Sequence, residues 1–168
     1  MFGLYQIYDW FRGPQSKISL DQASVVTEIR NLNKYETASF TMEKIIEGGL
    51  QGNVFQNILY GDKILLIAHA EIIAGFDLSK LETKDVRVSG TGLEITLPAP
   101  EILVSRLNNE KTRVYDRKLG IFTKGDPQLE SDARLAAEQS IRKAACDAGI
   151  LLVAKQNGLS QLGTLFEM

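Results

Sequence analysis

The chain has 168 residues, the size of one ordinary domain. It is 44% apolar, 24% charged and 8% aromatic, which excludes a wholly disordered chain, a collagen-like repeat and a disulfide scaffold. A net charge of −2 gives no reason to expect nucleic-acid binding. The single cysteine, Cys146, excludes an internal disulfide and a cysteine-based zinc site, and no apolar run is long enough to span a bilayer.

The first eleven residues concentrate aromatic side chains, which are Phe2, Tyr5, Tyr8, Trp10 and Phe11. Aromatic rings mixed with aliphatic residues and followed by a charge are typical of a membrane–water interface, and no signal-peptide pattern is present. We therefore expect residues 1–14 to be a juxtamembrane stub of a longer anchor whose upstream part is missing. Residues 15–168 are expected to form a single α+β domain. A short helix packed on the domain itself or on a partner is the alternative.

The first predicted elements are a helix and a strand. Ser19 and Gln22 have the spacing of a capping box, and the periodicity that follows predicts a helix over residues 20–32. Residues 34–47 are rich in Thr, Tyr, Phe and Ile and predict a strand, and residues 48–61 predict a loop.

The next segments predict more strands. The continuous apolar run that opens residues 64–74 predicts a strand with both faces covered. Residues 85–89 and 93–97 flank Gly90-Thr91-Gly92 and predict a hairpin. Residues 101–107 and 112–115, with Asn108-Asn109 between them, predict a second hairpin.

The last section predicts one long helix. Asp126-Pro127 has the residue types of a helix start, and the pattern is helical from residue 128 to about 156, with Gly149 as a possible kink. Its apolar stripe is mostly alanine, and we expect Cys146 to be a small core residue. The predicted fold class is α+β, with an antiparallel or mixed sheet of about five or six strands, an N-terminal helix and a long Ala-rich C-terminal helix.

The one group of side chains centred on a histidine is weak evidence for a catalytic or metal site. His69 and Glu71 are two residues apart in a predicted strand and so share a face, and Asp77 follows. The His-Ala-Glu spacing matches half of a zinc-deaminase motif, but the required Pro-Cys-x-x-Cys is absent, and two ligands are too few for zinc. We expect no catalytic set, no metal and no cofactor. A small metal-dependent hydrolase or ligand-binding enzyme centred on His69 is the alternative.

A basic stretch offers a surface for binding. It comprises Arg106, Lys111, Arg113, Tyr115, Arg117 and Lys118. In an extended segment Arg113 and Tyr115 share one face while Val114 points the other way. Such a surface suits anionic lipid headgroups or RNA, and a solvated hairpin with local ion pairs is the alternative.

Several segments, in order, resemble a known family. They are Val25-Val26-Thr27-Glu28-Ile29, Tyr35-Glu36-Thr37-Ala38, Ala74-Gly75-Phe76-Asp77-Leu78, Leu97-Pro98-Ala99-Pro100-Glu101-Ile102, Tyr115-Asp116, Ala136-Ala137-Glu138, Ala144-Ala145 and Gly149-Ile150. Together they resemble the bacterial family catalogued as domain of unknown function 4230, over roughly residues 20–160. The resemblance implies a membrane helix ahead of the domain, which agrees with the aromatic stub. It implies no activity, so it transfers no functional residue.

We therefore expect a non-enzymatic, membrane-anchored envelope domain, outside the cytoplasm, that acts as a protein-interaction or scaffold module. Its partner is a protein or a second copy of the chain, and nucleic acid is not expected. An oligomerising scaffold that resembles the SPFH/band-7 group is an alternative at the level of element order. The metal-dependent enzyme and the lipid- or RNA-binding surface described above are the other two alternatives.

Overall fold

The computed structural model describes residues 22–49, 58–89 and 92–166. The predicted stub at residues 1–14, Ser19 of the capping box and the Gly90-Thr91 turn lie outside these ranges. The elements in chain order are α1 (Gln22–Asn31), β1 (Lys34–Gly49), β2 (Asp62–Asp77), β3 (Val86–Ser89), β4 (Gly92–Ile95), β5 (Glu101–Leu107), β6 (Arg113–Leu119), α2 (Leu129–Asp147) and α3 (Ile150–Phe166). The α+β class is confirmed, with an antiparallel four-stranded sheet and a separate β3–β4 hairpin.

The 16-residue strand β2 is the centre of the main sheet. It pairs with β1 along one edge, and with β5 and β6 along the other, always antiparallel. From residue 64 to residue 74, its even-numbered side chains are apolar and at most 1% exposed, namely those of Ile64, Leu66, Ala68, Ala70, Ile72 and Ala74. They form one core with α2 and α3, which pack on this side of the sheet.

The prediction that residues 101–107 and 112–115 form a hairpin is wrong. β5 pairs with residues 70–75 of β2 and β6 with residues 62–67, so the two strands run in the same direction, one after the other. A tight two-residue reversal needs residues with positive φ, and neither Asn108 nor Asn109 has one. Instead the His69 carbonyl accepts bonds from the Asn108 amide at 2.8 Å and the Thr112 hydroxyl at 3.2 Å, which hold both ends of the turn against β2.

The expectation that both faces of β2 are covered is also wrong. α2 and α3 lie on one side, and on the other side the odd-numbered side chains of β2 from 65 to 73 are all partly exposed. The continuous apolar run gave no warning of this, because Leu65 and Ile67 are as apolar as their buried neighbours. We call this side of the sheet the open face. It comprises Ser39, Thr41, Glu43, Ile45, Glu47, Lys63, Leu65, Ile67, His69, Glu71, Ile73, Val104, Arg106, Arg113, Asp116 and Lys118.

The C-terminal helix is two helices rather than one. Gly149 has φ +83°, a left-handed conformation that ends α2, and its amide donates to the Cys146 carbonyl at 2.9 Å. Buried positions on α2 recur every four residues, at Ala133, Ala137, Ile141 and Ala145. Cys146 follows the last of them and is exposed, so the expectation of a core cysteine is wrong.

α3 is fixed to β1 by an irregularity in the strand. The register shifts between Glu36 and Ala38, which leaves Thr37 without a partner in β2. The Thr37 hydroxyl donates to the Ala154 carbonyl at 2.8 Å, and the side-chain amide of Asn157 donates to the Thr37 carbonyl at 2.8 Å. The bulge thus offers α3 one backbone carbonyl and one side-chain hydroxyl of β1.

The end of β2 that carries Asp77 holds the smaller elements. Phe76, Leu78 and Leu81 form a second buried cluster with partly buried side chains that include Ile29 of α1. The Leu78 amide donates to the Asn33 carbonyl at 2.6 Å, and the Gln22 side chain donates to the Val86 carbonyl. α1 and the β3–β4 hairpin therefore lie at this end of the sheet.

Replacement of Gly158 tests the packing of α3. An added Cβ would lie 2.3 Å from Cε2 of Phe76, whose ring is 2% exposed. Helix propensity alone predicts that Gly158→Ala stabilises by about 1 kcal/mol, whereas overpacking costs about 1–3 kcal/mol. We expect a net loss of about 1 kcal/mol in the free energy of unfolding, measured by urea denaturation.

Two further variants complete this test. Phe76→Leu in the Gly158→Ala background makes room for the methyl group, so the two substitutions should show a favourable coupling energy. Gln156→Ala, at an exposed position of the same helix, should change stability by less than about 0.5 kcal/mol. A Gly158→Ala protein more stable than the parent would contradict the packing described here.

Candidate functional site

The open face combines apolar side chains with paired charges. Ile45 is 66% exposed, and Ile67 opposite it and Leu65 next to Ile67 are partly exposed, while Ile73 lies farther along β2, beyond His69 and Glu71. Isolated exposed apolar residues are normal on protein surfaces, but a contiguous group rimmed by charges is typical of interaction sites.

The predicted pair of His69 and Glu71 does share this face, but the two side chains bind different partners. His69 Nε2 lies 3.2 Å from the Glu43 carboxylate, across the ladder to β1. Glu71 accepts two bonds from Arg106 of β5, from Nε at 3.0 Å and from an Nη at 2.6 Å. Each side chain is paired with a residue of a different neighbouring strand, so the two side chains do not converge on a common point.

Asp77 lies at the end of β2, eight residues and about 26 Å along the strand from His69. Its carboxylate accepts from the Ser79 amide at 3.1 Å and the Ser79 hydroxyl at 2.5 Å, as the cap of a 3₁₀ turn at Leu78–Lys80. These bonds, with the charge of Lys80, hold the pKa of Asp77 below its ordinary value, although burial opposes them. Within the described ranges, no three His, Cys, Asp or Glu side chains are placed to share a metal ion.

The predicted basic surface is divided by the strand geometry. Arg106, Arg113 and Lys118 stand on the open face, opposite Glu71, Ile67 and Lys63 of β2. Val114 packs on the core as predicted, and Tyr115 lies at a register shift and is 70% exposed. Lys111 is in the turn before β6, and Arg117 is on the other side of the sheet.

Arg117 binds a buried carboxylate that the sequence analysis missed. Asp62, whose side chain is 6% exposed, accepts two bonds from Arg117, at 3.1 and 2.7 Å, and one from the Asp126 amide at 2.7 Å. The bonds from Arg117 hold the pKa of Asp62 below its ordinary value, although burial opposes them, and the same pairing raises the pKa of Arg117. This pair fixes the start of β2 to β6 and to the loop before α2.

A cavity of about 490 Å³ adjoins this pair. Its wall includes the carboxylates of Glu47, Asp62, Asp126 and Asp132, together with Tyr60 and the small residues Gly48, Gly49, Ala133 and Ala136. Asp62 already uses its oxygens for Arg117 and the Asp126 amide. The arrangement therefore secures the loop between β6 and α2.

The same end of the sheet carries a group of exposed apolar side chains, which the sequence analysis also missed. Two turns extend beyond the strands here, one before β2 and one after β6. Four side chains of these turns and that of Leu119 are more than half exposed, and we call this group the tip: Ile58 at 55%, Tyr60 at 59%, Leu119 at 54%, Ile121 at 72% and Phe122 at 68%. No signal in the sequence pairs these two turns, which are about 60 residues apart.

The described residues define a small α+β domain in which helices cover one side of the main sheet and leave the other side open. The chain belongs to the family described as Protein of unknown function (DUF4230), whose model matches residues 27–168. The resemblance found in the sequence is thereby confirmed. No curated protein and no solved structure matches the chain, and none of the helices in the described ranges is long and apolar enough to cross a membrane.

Replacement of Arg117 tests the pair that holds this end of the sheet. Arg117→Met leaves the Asp62 carboxylate buried without its cation, and breaking such a pair costs about 3 kcal/mol. Arg134→Met is the matched control, because its partner Glu130 is 43% exposed and such helical pairs contribute only about 0.2–0.5 kcal/mol. Urea denaturation at pH 7 measures both, and equal losses in the two variants would contradict a special role for Asp62.

The pH dependence of the stability that this pair contributes follows from the direction in which the pKa of Asp62 is shifted. Because the pKa of Asp62 is lower in the folded chain, the pair stabilises the fold above the ordinary carboxyl pKa of about 4. The stabilisation is lost as the pH falls through the depressed folded-state pKa. Asp62→Asn removes this titration, so this variant should lose less stability between pH 7 and pH 3 than the parent does.

Proposed function

We propose that this chain is a non-enzymatic interaction module, held at a membrane by an anchor upstream of residue 15, that binds a protein partner through the open face. The observation that carries the proposal is the group of Ile45, Leu65 and Ile67 on a side of the sheet that α2 and α3 leave uncovered. A sheet needs only one buried face to be stable, so apolar residues on the second face have another use.

The charges on the open face support recognition rather than catalysis. Glu71–Arg106 is a formed ion pair at the surface, where such pairs contribute about 0.2–1 kcal/mol to stability, and the His69 ring lies beside the Glu43 carboxylate. Charged groups that rim an apolar centre chiefly set which partner binds and in which orientation. A general acid or base would instead need a substrate-sized recess within hydrogen-bond reach. Two cavities lie at the Asp62 end of the sheet, and neither is lined by His69.

Crosslinking from the open face tests the binding surface. A photoreactive phenylalanine analogue replaces Ile45 in the complete protein, in its own cells, and a parallel variant carries it at Leu135, which is 57% exposed on α2. We expect a defined adduct from position 45 and none from position 135. The mass of the adduct distinguishes a second copy of the chain from a different protein.

Two results would count against the open face. One is the absence of any adduct from position 45, and the other is the same adduct from both positions, which would indicate contact by collision alone. Ile45→Glu in the parent protein should also abolish the complex, because a carboxylate cannot enter an apolar contact without a large desolvation cost.

Cell fractionation tests the anchor separately. The complete gene product should sediment with membranes and resist extraction by high salt, because an apolar anchor is insensitive to ionic strength while a purely electrostatic contact is screened. The 168-residue chain expressed alone serves as the comparison. Release of the complete product by salt would remove the anchor from the proposal and leave the binding surface untouched.

A further inference from the structure

The open face has opposite charges along its two outer strands. Along β1 it presents the carboxylates of Glu43 and Glu47. Along β5 and β6 it presents three cations and one carboxylate, which are Arg106, Arg113, Lys118 and Asp116. The β1 side of this surface is therefore negative and the opposite side is positive.

Ion pairs within the chain balance most of these charges, but two are left over. The balanced pairs are Lys63 with Glu47 at 4.0 Å, Arg106 with Glu71 at 2.6 Å and Lys118 with Asp116 at 3.8 Å. Glu43 lies beside the His69 ring and pairs with no lysine or arginine of the described chain. Arg113 is exposed and makes no ion pair with any residue that the structure describes. One unpaired carboxylate thus stands on β1 and one unpaired guanidinium on β6.

The ladders place these two charges on either side of the apolar group. Glu43 is level with His69 and Arg113 is level with Ile67, which are two residues or about 7 Å apart along β2. Ile45 is opposite Ile67 on the other side, so it shares the row of Arg113. The width of the sheet separates the two unpaired charges within one copy.

We propose that the partner of the open face is a second copy of this chain, packed face to face about a twofold axis that runs along β2. The inference rests on the proposed function, because it names the occupant of the same surface. Packed sheets lie about 10 Å apart, and this axis turns β1 of one copy onto β6 of the other while each row stays level with the same row of the partner. Ile67 then meets Ile67 of the second copy, and Arg113 projects over Ile45 towards Glu43, twice by symmetry.

A twofold axis across the strands would give the opposite match of charges. It would place β1 over β1, and β6 over β6, so that charges of the same sign face each other. Such a juxtaposition is costly at an interface. The charge pattern therefore selects one of the two symmetric ways in which the open faces can stack.

The direction of the selected axis also suits a membrane anchor. The proposed anchor precedes α1, which packs at the Asp77 end of β2. An axis along β2 sets the two Asp77 ends side by side, so both anchors enter one bilayer. An axis across the strands would direct the anchors to opposite ends of a strand about 50 Å long.

The contact is small, and anchoring compensates for its size. The open face is three strands wide from Lys63 to Ile73, which is about 500 Å² per copy. Two copies would bury about 1,000 Å², at the lower end of specific interfaces. Two chains held in one membrane have a raised effective concentration, so this area is enough for a reversible pair.

The attachment site of the crosslink tests the arrangement. In the complete protein, the photoreactive analogue at position 45 should give an adduct of twice the chain mass, attached to β6 of the second copy. Attachment to β1 would indicate an axis across the strands or pairing through the β1 edge, and would overturn the arrangement. An adduct with a different protein would overturn the second copy and leave the proposed function standing, whereas loss of every adduct would remove both.

Exchange of the two unpaired charges tests their contact. Glu43→Arg and Arg113→Glu each bring like charges together, and each should lower the yield of the dimer adduct by about tenfold. The double variant restores the pair in exchanged form and should recover the adduct. Lys143→Glu makes the same charge change at an exposed position of α2 and should behave like the parent. A double variant that yields no more adduct than the single variants would overturn the inference.

Discussion

The alternation of side chains along β2 is the constraint on which the rest of the molecule depends. Its even-numbered apolar residues, from Ile64 to Ala74, are at most 1% exposed, and they supply one side of the main core. Full burial of one such isoleucine or leucine contributes about 1.5–3 kcal/mol. Because side chains alternate strictly, a slip of one residue would move this whole row to the open face, so the core fixes the register of all three neighbouring strands.

Much of this architecture is predictable from sequence, since the signal is local and periodic. β2 was predicted from its continuous apolar run, and α2 was predicted because its helical pattern repeats over more than ten residues. The end of α2 was placed too late, because a glycine within a helical pattern shows neither its φ nor whether the chain continues straight. The pairing of β5 and β6 was mispredicted because two short strands beside a turn are compatible with a hairpin and with successive pairing on a longer strand.

The candidate sites depended on contacts that no local pattern carries. His69 and Glu71 were correctly placed on one face, yet their partners Glu43 and Arg106 come from other strands, 26 and 35 residues away. Asp62 was missed because an aspartate at the start of an apolar run is typical of a turn. Only the fold shows that this aspartate is buried and that Arg117, predicted to be a surface residue, is its partner.

The break between β5 and β6 limits how chains can join through their sheet edges. A strand added along β5 would lose its hydrogen-bonding partners after Leu107, because residues 108–112 turn out of the ladder. The outer edge of β1 is longer and runs without a register shift from Ala38 to Gly49, with charges that include Glu43 and Lys44. A fibril that grows by strand pairing needs two free sheet edges on every chain, one for each neighbouring chain. Within the described residues, edge-to-edge assembly of the main sheet is therefore favoured as a pair joined through β1, because the opposite side offers only the short, interrupted edges of β5 and β6.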